Sequence, residues 1–270
     1  MSRTIRLLDL ADIQLLLDWA AVEGWNPGLN DAVAFQSADP NGFFGAFVDD
    51  VMVAGIAAVI YDASFGFIGL YICHPAWRGQ GHGKAVWDAG MAYLGNRTVG
   101  LDGVPEQQAN YASMGFAQAY DTVRMSGVLP DAPGGDAIET AVDIDEIGAF
   151  DHQCFPAERS AFLEHWIGPP NKSSAHRTAG KTDGYAVLRP CVDGSKLGPV
   201  FAETPSIAIA LLKAQSGLIH IDVPAAQTEF RAALSSRGFT TGFRTARMYR
   251  GSPPTIQMSQ VFGISSLELG

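Results

Sequence analysis

Leu70-Tyr-Ile-Cys-His-Pro-Ala-Trp-Arg-Gly-Gln-Gly-His-Gly-Lys84 is the stretch that decides how this chain is read. An apolar, β-type run from Phe65 to Cys73 stops at Pro75. A glycine-rich turn follows from Arg78 to Gly83, and a helical pattern runs from Lys84 to about Leu94. Glycines at 79, 81 and 83 leave the backbone free to adopt positive φ and its N–H groups unshielded. Such groups can converge at a helix N-terminus, where the unpaired donors and the dipole favour an anion. Arg78 and Lys84 add two positive charges in an otherwise acidic chain. The chemistry expected of this turn is a phosphate or pyrophosphate cradle; the competing reading is a tight strand-to-helix connection. It is not a P-loop, because Gly83-Lys84 is followed by Ala85, which has no hydroxyl for magnesium. Nor is it a dinucleotide fingerprint, since the spacing is Gly-x-Gly-x-Gly and the turn lies well inside the chain.

The 270 residues suggest two domains, and 47% hydrophobic content is ample for buried cores. A net charge of −10 argues against nucleic acid and anionic membrane surfaces as partners. Cys73, Cys154 and Cys191 are too few and too scattered for a disulfide framework or a zinc site, and His152, His165, His176 and His220 show no metal-ligand spacing. No signal-peptide pattern opens the sequence and no apolar run is long enough to span a membrane. A soluble cytoplasmic protein, monomeric or homodimeric and without a metal, is expected.

From the N-terminus, a strand at Thr4 to Leu8 precedes a helix capped by Asp9 or Asp12, then the turn-rich loop Glu23 to Gly28 and a second helix from Asn30 to Phe35. Two β runs, Phe43 to Val48 and Val51 to Tyr61, flank a hairpin-like Asp49-Asp50. After the decisive stretch come a strand at Thr98 to Asp102, a helix at about Glu106 to Met114 ended by Gly115, and strand structure over Gln118 to Gly127. Leu129 to Asp136 is dense in breakers and reads as a linker. Beyond it the chain repeats itself. Leu101-Asp102-Gly-Val-Pro105 leads to Gly115-Phe116 and Arg124-Met125, as Ile221-Asp222-Val-Pro224 leads to Gly238-Phe239 and Arg247-Met248. The second copy lacks a glycine loop: Gly198 to Glu203 runs almost directly into a helix over Ile207 to Ala214.

Arg78-Gly-Gln-Gly81-His-Gly83, with Cys73-His74-Pro75 before it, resembles the Arg/Gln-x-x-Gly-x-Gly/Ala loop and the Val-x-Pro strand end of the GCN5-related N-acetyltransferases. The order β-α-α-β-β-β-α-β-α-β is also that of the family. Arg247-Met-Tyr-Arg-Gly251 and Ser266-Leu-Glu-Leu-Gly270 resemble strings in members that carry a degenerate C-terminal copy. The resemblance implies a mixed α/β fold of two tandem domains. Each would have a mostly antiparallel sheet with its fourth and fifth strands splayed. A catalytic domain is expected over 1–128, a linker over 129–136 and a degenerate domain over 137–270. It further implies transfer of an acetyl group from acetyl-CoA to a primary amine of a small molecule or peptide. The attack would be direct, through a tetrahedral intermediate. The alternatives are a non-catalytic acyl-CoA-binding or regulatory protein, and a binder of another phosphorylated ligand at the same loop.

An alkyl amine has a pKa of about 10.4 and must lose a proton before it attacks. The developing oxyanion needs donors, worth about 3–4 kcal/mol each. By the resemblance these are main-chain N–H groups of Tyr71, Ile72 and Cys73, while Arg78, Gly79, Gln80, Gly81, His82, Gly83 and Lys84 hold the coenzyme, with the His82 ring turned away from the phosphates. Tyr111, four residues before Gly115-Phe116, matches the family's Tyr-x-x-x-Gly-Phe and implies a general acid. The asparagine the family often places seven residues earlier is Val104 here, leaving Gln107 or Asn110 to substitute. No carboxylate stands in the fourth strand. Glu23 and Asp31 are the candidate bases, and Trp25, Asn26 and Asp31 the candidate acceptor wall; the plainer reading makes these helix-terminal charges and turn residues. Cys73 is read as a small buried hydrophobe.

Overall fold

A computed structural model describes residues 2–130, 138–140 and 142–270. The first half contains β1 (Arg3–Leu7), α1 (Leu10–Val22), α2 (Asp31–Ala38), β2 (Phe43–Val48), β3 (Val51–Ile60), β4 (Phe65–Cys73), α3 (His82–Leu94), β5 (Thr98–Gly103), α4 (Pro105–Ser113) and β6 (Ala117–Leu129). The second contains β7 (Ile138–Glu139), α5 (Ile144–Cys154), α6 (Ser160–Trp166), β8 (Lys172–Thr178), β9 (Lys181–Pro190), β10 (Ser195–Ala202), α7 (Pro205–Lys213), β11 (Gly217–Pro224), α8 (Thr228–Ser235), β12 (Thr240–Arg250) and β13 (Val261–Gly263). The expected linker lies outside the described residues except for Leu129 and Pro130, and Leu129 closes β6. No helix among the described residues is long and apolar enough to cross a membrane.

Local chemistry accounts for most of these boundaries. Asp9 caps α1 in a reciprocal box with Asp12. Asp49 and Asp50 take left-handed φ of 48° and 64°. A two-residue hairpin turn of type I′ requires that conformation at both of its central positions. Along β3, Ala57 and Val59 enter one core while Ala54, Ile56 and Ala58 enter another, so both faces of the sheet are covered. One face carries a single apolar core shared by both halves. There Phe35 of α2 stacks on Trp166 of α6 at 5.9 Å. The opposite face holds two separate cores, one under α3 and one under α7 and α8.

The halves form one continuous sheet, with order β1-β2-β3-β4-β5-β12-β6-β11-β10-β9-β8-β7. Each half gives its last long strand to the other: β12 pairs with β5, β6 pairs with β11, and the two lie antiparallel at the centre. This exchange explains the repeated Asp and Arg. Arg124 binds Asp222 through Nε (2.8 Å) and Nη2 (2.9 Å), and Arg247 binds Asp102 in the same way (2.9 and 2.8 Å). Each repeat's arginine therefore neutralises the aspartate of the other repeat, in the sheet interior.

Burial alone would raise the Asp222 carboxyl, but Arg124 and Lys196 overcome it and hold it down at about 2. A carboxyl held below its unfolded value of about 3.9 binds fewer protons when folded. Its contribution is therefore present above that value and lost as pH falls toward about 2. Asp222→Asn is expected to lower the denaturation midpoint strongly near neutral pH, with the gap to wild type closing between about pH 4 and 2. A gap constant over that range would contradict the assignment.

Candidate active site

Parallel pairing of β4 with β5 runs from Phe65↔Thr98 to Ile68↔Leu101 and then ends. Beyond it β4 bulges, with Leu70 and Tyr71 standing opposite Ile56 alone. Leu70 has φ 47°. A non-glycine residue adopts that conformation only under constraint. The strands splay, and a cavity of about 500 Å³ opens between them. Tyr71, Ile72 and Cys73 all line it.

The glycine turn joins this cavity to α3. Gly79 and Gly81 have φ 76° and 80°. Gly81 is the N-cap of α3, and no side chain caps its first turn, so those N–H groups remain available to an anion. The helix starts at His82, two residues before the expected Lys84. The His82 ring packs edge-on against Trp77 (5.6 Å). Gln80 reaches back to the Ala76 carbonyl (3.4 Å), and Lys84 bonds Asp88 (2.5 Å). Arg78 donates through Nε to the Cys73 carbonyl (3.0 Å) and through Nη2 to Glu23. Burial raises the Cys73 thiol, despite the Gly83 N–H and Arg78 that favour the thiolate, so the sulfur is a poor nucleophile.

Tyr111 lies across the cavity on α4. Its ring stacks on Trp87 (5.7 Å), and its hydroxyl has no hydrogen-bond partner among the described residues. Burial, then the nearby Tyr71, push its phenol well up, so it keeps its proton at neutral pH. Gln107 and Asn110, one and two turns of helix away from the Val104 end, line the same wall.

Glu23 and Trp25 also line the cavity, whereas Asn26 and Asp31, expected in its wall, lie outside it. Both tie the loop to the second half instead. Asn26 exchanges hydrogen bonds with Asp193 (2.9 and 3.1 Å), and Asp31 is buried against Arg189 while accepting the Gly28 N–H at 2.8 Å. The Trp25 carbonyl accepts from Arg124 Nη1 and Lys196 Nζ, each at 2.9 Å. Asp31 is therefore an ion-pair partner in the core and is not available as a base to a ligand in this cavity.

Among the cavity residues that escaped sequence reasoning are Asp102, Phe243, Thr245 and Leu267. Three of these had a signal. Asp102 is repeated as Asp222, and Thr122-x-Arg124-Met125 recurs as Thr245-x-Arg247-Met248 two residues after Phe243.

In the second half the corresponding gap between strands is occupied. There β10 and β11 pair in parallel only at Ser195↔Ile219 and Lys196↔His220, and β13 fills the gap beyond. That strand pairs with β10 at Val200 and Phe201, and the Ile264 N–H bonds the Asp222 carbonyl (3.0 Å). Leu234, fully buried, stands where α4 has Tyr111: its carbonyl accepts the Phe239 N–H (3.2 Å) as the Tyr111 carbonyl accepts the Phe116 N–H (3.1 Å).

Comparison with known proteins gives two matches in tandem: the acetyltransferase (GNAT) family over residues 10–120 and the acetyltransferase (GNAT) domain over 147–263. The holothin acyltransferase of Pseudoalteromonas sp. (strain SANK 73390) is 34% identical, covering 99% of this chain and 94% of that protein. Among solved structures, a Pyrococcus horikoshii protein assigned to the acetyltransferases has a TM-score of 0.84 at 17% identity, covering 99% of this chain and 96% of its own. A tandem GNAT protein from the clavulanic acid biosynthesis pathway has a TM-score of 0.65 at 15% identity, covering 94% and 100%.

Proposed function

The chain belongs to the GCN5-related N-acetyltransferase (GNAT) family as two such domains in tandem, and is an acyltransferase; from that premise we propose that its first half transfers an acetyl group from acetyl-CoA to a primary amine of a small molecule. The observation that carries this reading is the Tyr111 hydroxyl, which has no partner among the described residues, on a side chain that lines one cavity with the bulged edge of β4 and with Arg78 of the turn before the uncapped α3. The fit to a pyrophosphate rests on that uncapped helix and on Gly79 and Gly81, whose left-handed φ disfavours any side chain. When bound, acetyl-CoA supplies an activated acyl carbon as a thioester.

In this reading the chain's own groups do the following. N–H groups of the turn and of α3 hold the pyrophosphate. Main-chain N–H groups of the 71–73 edge donate to the acyl carbonyl oxygen as negative charge develops there. Tyr111, still protonated because burial raises its phenol, gives its proton to the departing thiolate. Glu23, in the cavity and bonded to Arg78, is the one expected base that faces the site. The second half takes the role of completing the acceptor chamber with Phe243, Thr245 and Leu267, its own slot being filled by β13. The Pseudoalteromonas relative is named for acylating holothin, which supports a small-molecule acceptor here.

Calorimetric titration tests the donor half. One equivalent of acetyl-CoA per chain is expected. Gly81→Glu is expected to weaken binding by at least tenfold, since a side chain strains a turn held at left-handed φ and its carboxylate repels the phosphates. Two equivalents, or unchanged affinity in the variant, would overturn the single cradle at this turn.

A further inference from the structure

We propose that the acceptor is a flat, uncharged amine carrying a hydrogen-bonding atom beside its ring, held by a subsite that the second half builds; this rests on the acyl-transfer reading above. The charge inventory of the chamber is the first observation. Asp102 is bound bidentately by Arg247, and Glu23 is bound by Arg78. Glu106 also borders the cavity, but in the first turn of α4, where it is exposed to solvent. The cations behind Trp25 are committed as well: Lys196 to its carbonyl, and Arg124 to that carbonyl and to Asp222. A polyamine or aminoglycoside would therefore bring several ammonium groups to walls whose inner carboxylates are already neutralised. An ammonium desolvated without a counter-charge is strongly disfavoured.

The walls are the second observation. Trp25 and Phe243, two aromatic residues, line the chamber together with the aliphatic Leu267. Arg124 sits over the Phe243 ring (5.2 Å to the centroid), which fixes that ring's position. Rings and aliphatic carbon suit a flat apolar body.

The third observation is Thr245. Its side chain is buried, it lines the chamber, and its Oγ1 has no hydrogen-bond partner among the described residues. Its repeat counterpart Thr122 is also unpartnered but is not in the cavity wall. A buried hydroxyl without a partner is costly, and a ligand that bonds it recovers that cost. A carbonyl or ring nitrogen of the acceptor meets this need. The same acceptor chemistry accords with the absence of a carboxylate from β4. An amine conjugated to a ring shares its lone pair with the ring and is unprotonated at neutral pH, so its attack needs no prior removal of a proton by a strong base.

The test uses the full chain with acetyl-CoA and four amines: aniline, an aminobenzamide, spermidine and kanamycin. The aminobenzamide is expected to be acetylated with kcat/KM at least tenfold above that of spermidine or kanamycin. Thr245→Val, which keeps the side chain's shape, is expected to raise the KM for the aminobenzamide about tenfold without a matching rise for aniline, with the acetyl-CoA affinity kept and Tm not lowered. If acetyl-CoA binds but the polyamine or aminoglycoside is preferred, or if neither ring amine turns over, the acceptor class is wrong. If Thr245→Val affects aniline and the aminobenzamide equally, the role of the hydroxyl is wrong. Failure of the wild-type chain to bind acetyl-CoA would instead overturn the donor reading on which the inference stands.

Discussion

Tyr111→Phe is expected to lower turnover by about a hundredfold or more while leaving acetyl-CoA affinity within a factor of about two. Removal of the hydroxyl deletes one oxygen and no hydrogen bond within the protein, because that oxygen has no partner among the described residues. The ring keeps its stacking on Trp87 and its edge contact with Phe116. The fold should therefore be indifferent and only the step that needs a proton donor should slow. Burial keeps the phenol protonated at neutral pH, which excludes it as the base and leaves proton donation as the role its hydroxyl can play, at a cost relative to a free tyrosine. Steady-state kinetics with a calorimetric Kd for the coenzyme separates the two quantities. Equal loss of affinity and rate would mean that Tyr111 is part of the coenzyme's wall and not its acid.

Arg247→Met is expected to lower Tm by about 10 °C. The substitution leaves Asp102, whose side chain is fully buried, without its bidentate partner. Removal of one member of a buried pair costs about 3–5 kcal/mol, and in a chain of this size each kcal/mol moves Tm by about 2–4 °C. Burial already raises the Asp102 carboxyl against the pull of Arg247, so protonation of the orphaned acid softens the loss without removing it. The double variant Asp102→Leu/Arg247→Met should recover most of the stability, because an apolar pair of similar volume replaces a charge pair at little net cost. Thermal denaturation checks both. A shift within about 2 °C for the single variant would mean that the exchanged strand is held by β-pairing and packing alone.

That exchange marks the limit of what sequence reasoning reached. The bounds of β4, Phe65–Cys73, and the turn into α3 were legible because strand, proline, glycine and helix signals are local. The repeat was legible too, since it is a matter of spacing. But Arg124 lies at the same distance along the chain from its own repeat's aspartate whichever aspartate it meets in space. Nothing in a one-dimensional pattern distinguishes pairing with Asp102 from pairing with Asp222, and the partners prove to be 98 and 145 residues apart. Two self-contained sheets and one exchanged sheet share the same element order.

The acceptor side was obscured for a related reason. Asn26 and Asp31 have the polarity of ligand-binding residues, yet their partners, Asp193 and Arg189, come from the other half. The C-terminal segment gave no periodic signal, although Ile264 to Gly270 is buried throughout. Its position depends on close approach to glycine: a Cβ on Gly69 would stand 1.8 Å from the Glu268 carbonyl oxygen. That contact carries Leu267 into the chamber wall. The cradle at 78–83, by contrast, was readable because anion binding by a helix N-terminus needs only neighbours in sequence.

The most direct test of the account is the appearance of coenzyme thiol when the purified chain is given acetyl-CoA with and without a ring amine. Amine-dependent release, matched one for one by N-acetylated product, is the expected result. Stoichiometric binding of acetyl-CoA with no thiol released in the presence of any amine would contradict it.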